Sequence, residues 1–188
     1  MAQLVVNNVL QKKLKDIAQK MQNQNKLKVG VLSSETYPNG MSIAQVAAIQ
    51  EFGATINIPA HKKTLYFKQL KNGSVKNRFV SESLSNFAQD AQVGAYTVRI
   101  PPRPFMRQAM DNYSQQWGAL FKEAFKQTGS IDQALGQLGQ IIRDQIKGTI
   151  HTFSDPPNAK STVRKKGGDN PLIDSGKLLG HIDYEVST

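Results

Sequence analysis

From Gln3 to Gln22 the apolar residues Leu4, Val5, Val9, Leu10, Leu14, Ile17, Ala18 and Met21 recur at spacings of three and four, while Lys12, Lys13, Asp16 and Lys20 lie off that stripe. This is the period of an amphipathic helix with one face turned to a core. Asn23 to Asn25 close it, and Leu27, Val29 and Val31 then alternate as a strand. Ser42 and Gln45 have the form of a capping box and open a short helix through Ala44, Val46, Ala47, Ala48, Ile49 and Phe52, with Gly53 as its stop. Glu51 falls in the last turn, at the negative end of the helix dipole, so a basic group is expected to hold it. A loop lysine of the same chain and a cation on a neighbouring subunit are the two candidates.

Thr55 to Ile58 and Thr64 to Leu70 read as β segments, and Asn72-Gly73 is a hairpin signal that makes Val75 to Val80 the expected returning strand. Ser81 to Gly94 is polar, with Leu84, Phe87 and Val93 as its only anchors, and Tyr96, Val98 and Ile100 alternate as another strand. Ile100 to Arg107 then reads Ile-Pro-Pro-Arg-Pro-Phe-Met-Arg. Its three prolines, Pro101, Pro102 and Pro104, fix φ and remove backbone donors, giving a rigid corner between strand and helix. Pro104 is expected as the first helical residue, with Arg103 and Phe105 presented at the join. Arg103 is open to two readings: a capping or ion-pairing residue, or a subunit contact, where arginines and aromatics are enriched.

A helix from Pro104 to Lys126 carries Phe105, Met106, Ala109, Met110, Tyr113, Trp117, Leu120, Phe121, Ala124 and Phe125 on one broad face. Thr128-Gly129 closes it. Ser130 and Gln133 repeat the capping-box pattern before a second helix through Ile150, and the short link makes the two an antiparallel hairpin. Residues 153–181 are an extended loop segment in which Asp174 or Ser175 caps one helical turn at Lys177 to Leu179. Ile182, Tyr184 and Val186 form a last strand, expected against Leu27 to Val31 or the Tyr96 strand. The whole predicts an α+β fold in one domain, residues 1–188. A small, mostly antiparallel sheet is packed by an N-terminal helix, a short helix and a long helical hairpin, and residues 60–95 protrude as a basic β-arm.

Charge sharpens this picture. The net charge is +10. Lys62, Lys63, Lys68, Lys71, Lys76 and Arg78 occur with no acid between Ala54 and Ser81, and Lys160, Arg164, Lys165 and Lys166 form a second acid-free run. These ten account for the whole excess, because the other 14 basic residues balance 14 acidic ones. Confinement of this kind suits a polyanion or an acidic partner, and also a merely solubilising loop. With no cysteine and with His61, His151 and His181 far apart, neither a disulfide framework nor a zinc site is expected. No stretch is long and apolar enough to span a bilayer, so a cytosol-like setting without membrane contact is expected.

No catalytic constellation emerges. Gly167-Gly168 fits neither the phosphate-loop nor the dinucleotide pattern, and the proximity of His151, Ser154 and Asp155 in sequence predicts little about a triad. The expectation is a protein that is not an enzyme and needs no cofactor. The basic runs lack interleaved aromatics or a recognition helix, which leaves non-specific backbone contact with DNA rather than sequence reading.

Three elements carry a resemblance: Val-Ala-Ala-Ile-Gln-Glu-Phe-Gly at 46–53, Ile-Pro-Pro-Arg-Pro-Phe-Met-Arg at 100–107, and Asn-Pro-Leu-Ile-Asp-Ser-Gly-Lys-Leu at 170–178, followed by a final strand. Together they resemble the tailed-bacteriophage neck and tail-completion family, including the lambdoid tail-component and Mu-type virion morphogenesis proteins. The order of the elements departs from many relatives, and about forty residues of arm separate the first two. The resemblance implies a structural virion protein at the head–tail junction, assembled in the bacterial cytoplasm as a six- or twelve-fold homo-oligomeric ring. Its neighbours would be head-completion or adaptor proteins and tail-terminator or tail-tube proteins. Subunit contacts would fall on Glu51, Phe52, Arg103, Pro104, Phe105, Arg107, Asp174, Ser175 and Leu178. The arm cations, with Arg164, Lys165 and Lys166, would meet a partner or genomic DNA in the lumen. A tail terminator is the competing reading and a non-specific DNA-binding protein a third.

Overall fold

The computed structural model describes residues 25–76 and 78–187; the helix expected over Gln3 to Gln22 lies outside them. The fold is α+β, with small antiparallel sheets and a long helical pair. The described residues divide into two units: a body formed by residues 25–53 together with 101–187, and a second unit, Ala54–Ile100.

In the body, β1 (Lys26–Val31) pairs antiparallel with β6 (Ile182–Ser187), in register from Lys26 opposite Ser187 to Val31 opposite Ile182. Of the two placements expected for the last strand, the pairing with Leu27 to Val31 is the one observed. Leu27, Val29 and Val31 turn one face of this ribbon toward the helices, while Lys28 and Glu185 pair at 3.5 Å on the other side. The helical pair is α2 (Phe105–Thr128) and α3 (Ile131–Thr152). Gly129, in the left-handed region at φ 64°, ends α2 as the sequence signalled, and Ser130 Oγ accepts the Gln133 N–H to begin α3. The buried stripe of α3 runs from Ala134 through Leu138, Ile142 and Ile146 to Ile150, and from Leu138 on it shares one core with Phe105 and Ala109 of α2, Ile43 and Ile182. Gly139 is where α3 and β6 come closest: a Cβ there would lie 2.4 Å from the Tyr184 ring, so a larger residue would have to displace Tyr184.

The short helix α1 (Ile43–Phe52) begins with a complete capping box. Ser42 Oγ accepts the Gln45 N–H at 3.0 Å, and Gln45 Oε1 accepts the Ser42 N–H at 3.0 Å. The 153–181 segment, expected as a loop with one helical turn at Lys177 to Leu179, contains a helix that was not expected, α4 (Lys160–Lys166), and then that turn as α5 (Lys177–Gly180). Gly176, not Asp174 or Ser175, stands at the start of α5, and no side chain caps it. Pro104 likewise precedes α2 instead of being its first residue.

In the second unit, β2 (Ala54–Ile58) pairs with β5 (Tyr96–Ile100), and β3 (His61–Phe67) with β4 (Phe87–Val93), all antiparallel. The second unit begins at Ala54, ahead of the expected residue 60, since β2 and β5 form a sheet of their own. Asn72-Gly73 does make a turn, closed by the Gly73 N–H on the Leu70 carbonyl at 2.9 Å, but beyond it only a single bridge, Gln69 to Val75, forms. The strand that returns along β3 is Phe87–Val93, not Val75 to Val80. Neither face of this ribbon is covered: no described residue from Ala54 to Ile100 is buried.

Candidate functional site

The proline corner is where three sequence elements converge. Arg103 is almost wholly buried, 6 % exposed. Its Nη1 donates to Gln50 Oε1 at 2.8 Å, its Nε to the Pro156 carbonyl at 3.1 Å, and its Nη2 to the Pro157 carbonyl at 3.4 Å and Asn158 Oδ1 at 3.3 Å. Prolines at 101, 102 and 104 hold the backbone that aims this fork, and the planar guanidinium suits a fan of carbonyl acceptors. Burial lowers the Arg103 guanidinium from its ordinary value. Its partners are all in the same chain, so neither an outward contact nor a surface ion pair describes it.

Glu51 finds its cation 56 residues on. Its carboxylate, 5 % exposed, accepts the backbone N–H of Met106 at 2.9 Å and of Arg107 at 3.2 Å, and the Arg107 Nε at 2.9 Å. Arg107 Nη2 also donates to the Glu51 carbonyl at 2.8 Å. One side chain thus answers two problems at once: the open carbonyl end of α1 is met by Arg107, and the unpaired N–H groups opening α2 are met by Glu51. Proline at 104 offers no side-chain acceptor for that second task, so the cap comes from a neighbouring helix.

These bonds settle where the expected contact residues lie. Glu51, Arg103, Phe105 and Leu178 are buried in the body, while Phe52, Arg107, Asp174 and Ser175 are exposed and Pro104 is half-buried. Phe52 stands out at 70 % exposed, its ring 5.3 Å from the Arg107 guanidinium. Of the four exposed positions of α1, Ala44, Gln45, Ala48 and Phe52, three form an apolar stripe at four-residue spacing, Ala44, Ala48 and Phe52, and Met110 of α2 is also exposed although its helical position assigns it to the core face. Between these stripes runs an apolar groove of about 390 Å³, lined by Ala44, Ala48, Phe52, Met106 and Met110 with Arg107 at its edge. On the other side of Arg107 lies a polar notch of about 360 Å³, which includes Pro104, Asp111, Phe153 and Asp155.

The third element, at 170–178, works mainly through Asn170, a residue whose role had no signal beyond the turn-forming Asn-Pro pair. Asn170 Oδ1 accepts the N–H groups of Leu172 at 2.8 Å and Ile173 at 3.0 Å, while Nδ2 donates to the Ile150 and His151 carbonyls at 2.9 and 3.0 Å. It ties the end of α3 to the loop leading into β6. Lys166 also turns inward, donating to the Asn170 carbonyl; burial lowers its ammonium, with Asp174 working against that shift. Lys160, Arg164 and Lys165 remain exposed, so Lys166 is the one member of the second basic run that turns inward. Burial first, and the Asp174 charge second, raise the Tyr37 phenol beside the same loop.

In the second unit Lys62, Lys63, Lys68, Lys71, Lys76 and Arg78 are all exposed, and the ion pairs among the described residues include none of them. The carboxylates of this unit belong to the stem: Asp90 accepts from Thr64 Oγ1 at 2.8 Å, and a hydrogen bond to Glu82 raises the Tyr66 phenol. Lys68, Lys71, Lys76 and Arg78 occupy the tip together with exposed Leu70, Val75 and Phe79. Phe79 is 65 % exposed yet held in place, its ring 5.2 Å from Phe67 and the following Val80 N–H bonded to the Tyr66 carbonyl at 2.9 Å.

Among the described residues no cluster of three or more histidine, aspartate or glutamate side chains is placed to hold a metal, and no helix is long and apolar enough to cross a membrane. The class that fold and site define is an α+β protein whose sequence motifs brace a helical body and whose uncovered β unit, with seven basic and two acidic residues, carries half of the net charge. No family model, no curated protein and no solved structure matches the chain.

Proposed function

We propose that this chain is a structural subunit of a bacteriophage virion that closes into a homo-oligomeric ring at the head–tail junction, joining the portal-adaptor side to the tail. One observation carries the reading. Residues Ala54–Ile100 hold three strongly exposed apolar side chains or more, Phe79, Leu84 and Tyr96 among them, and bury none. Two-stranded ribbons without a covered face are marginal in water, so such a unit gains its order from a neighbour. Rings use heterologous contacts, in which one surface of a copy meets a different surface of the next, and the uncovered second unit and the open apolar groove of the body are two unlike surfaces. The likeness of the 46–53, 100–107 and 170–178 elements to the neck and tail-completion family supports the location. Within the three elements, the conspicuous residues brace the protomer, which leaves the contacts to Phe52, Arg107 and the arm.

Two measurements test this. Gold-labelled antibody against the chain should mark virions between capsid and tail; label along the tail or on the capsid overturns the placement. Replacing residues 61–93 by a two-residue turn should leave the body's thermal melting unchanged while sedimentation shows monomers only. A truncated chain that still sediments as the intact ring overturns the role of the arm. Label at the tail's upper end in headless tails would favour the terminator over the neck.

A further inference from the structure

The ring contact has candidates for both of its halves on the page, and they match in chemistry. One half is the groove between the Ala44, Ala48, Phe52 stripe of α1 and Met106 and Met110 of α2, about 390 Å³ and open to solvent. Unlike an ordinary surface helix, α1 places its only charged residue, Glu51, inside the body and shows solvent an apolar stripe with Gln45 as its one exposed polar side chain. Arg107 forms a fixed ridge along this groove, pinned by Glu51 and stacked on Phe52. Across the ridge, the second depression carries the exposed carboxylates Asp111 and Asp155. An aromatic-sized apolar slot therefore adjoins an acidic one.

The tip of the arm presents the converse pair on consecutive residues, Arg78 and Phe79. Both are exposed, and Phe79 is steadied from behind by Phe67. We propose, building on the ring reading above, that the arm tip of one copy docks on the body of the next, with Phe79 entering the Phe52, Met106, Met110 groove and Arg78 meeting Asp111 and Asp155. The occupant is thus a second copy of this chain. Arg107, lying between the two depressions, keeps the cation out of the apolar side and so sets the register of the docked tip. Such an arrangement has the features of an interface centre: an aromatic anchor in an apolar pocket beside a desolvated charge pair.

The chain has no cysteine, so introduced pairs report cleanly. Full-length Phe79→Cys and a size-tagged full-length Met110→Cys are mixed and oxidised; a disulfide joining tagged to untagged chains is expected, and is expected to be absent when Lys71→Cys replaces Phe79→Cys. Sedimentation of Phe79→Ser and Arg78→Glu should show assembly weakened at least about tenfold with unchanged melting, and Asp111→Lys with Asp155→Lys should restore Arg78→Glu. If Phe79→Ser assembles like the wild type while the 61–93 replacement does not, the docking is overturned and the ring reading stands. If the wild-type chain is monomeric at every concentration and is absent from virions, both fall. Loss of duplex DNA binding in Arg78→Glu with assembly intact also overturns the docking, assigning the tip to nucleic acid.

Discussion

Two antiparallel ribbons of nearly equal length occupy opposite extremes of burial in this molecule. The pair β1–β6 has six residue pairs in register and β3–β4 has seven. Their backbone bonding is of the same kind, yet β1–β6 lies against α3 with Ile182 buried and Tyr184 seated over Gly139, while β3–β4 buries nothing. Ladder bonds replace bonds to water and contribute little net, so the two ribbons differ in stability by what covers them. A hydrogen-bonded strand pair is a shape that a covering surface makes permanent.

That contrast can be broken most severely from the body's side. Phe105→Ala removes a fully buried ring from the centre of the core and should cost about 3–5 kcal/mol by urea unfolding. Amide exchange in β3 and β4 should be unchanged, and arm protection falling in step with the body would show that the two units share one cooperative transition. Glu51→Ala leaves two N–H groups of α2 and the Arg107 cation without their acceptor, and should cost about 2–3 kcal/mol, again confined to the body. In the arm, Thr64→Ala deletes an exposed hydrogen bond to Asp90 and should change unfolding by less than about 0.5 kcal/mol.

The smallest effect concerns alkaline pH. The Tyr37 phenol is raised in the folded body, so above about pH 10 the unfolded chain loses its proton first. Unfolding then binds fewer protons than folding does, and stability falls as pH rises through the folded value. Tyr37→Phe should lose this portion of the decline, read as a shallower drop in urea midpoint between about pH 9 and about pH 11.

How much could be read beforehand follows the same division. Ser42 and Gln45, Gly53, Gly129 and the apolar stripe of α3 announce their structure because caps and core faces leave fixed spacings. Leu27 to Val31 and Ile182 to Val186 were visible as strands by their alternation, since one face of each is covered, while alternation left open whether the last strand pairs with the first or with the Tyr96 strand. Phe87–Val93 gave no such pattern, because a strand exposed on both faces has no reason to alternate, and Asn72-Gly73 drew the returning strand too early, to the residues directly after the turn. At the site, Glu51 was legible as a charge in need of a partner, but its partner Arg107 depends on a long-range contact that local spacing does not encode. Arg103 looked outward for the same reason: an arginine beside prolines reads as surface until the 156–158 carbonyls and amide are folded around it. Met110 shows the reverse case, an apolar residue on a core stripe that opens onto the groove.

The pairing of β1 with β6 also sets an order of events during synthesis. Lys28 and Glu185 meet across 157 residues of chain, so β1 leaves the ribosome long before the strand that completes its ladder. In the second unit, by contrast, β3 and β4 are near neighbours along the chain and leave the ribosome together. Completion of the body is therefore a late event, because Ile182, which packs with Ile43 and Phe105 in the core, is supplied only after both long helices have been made.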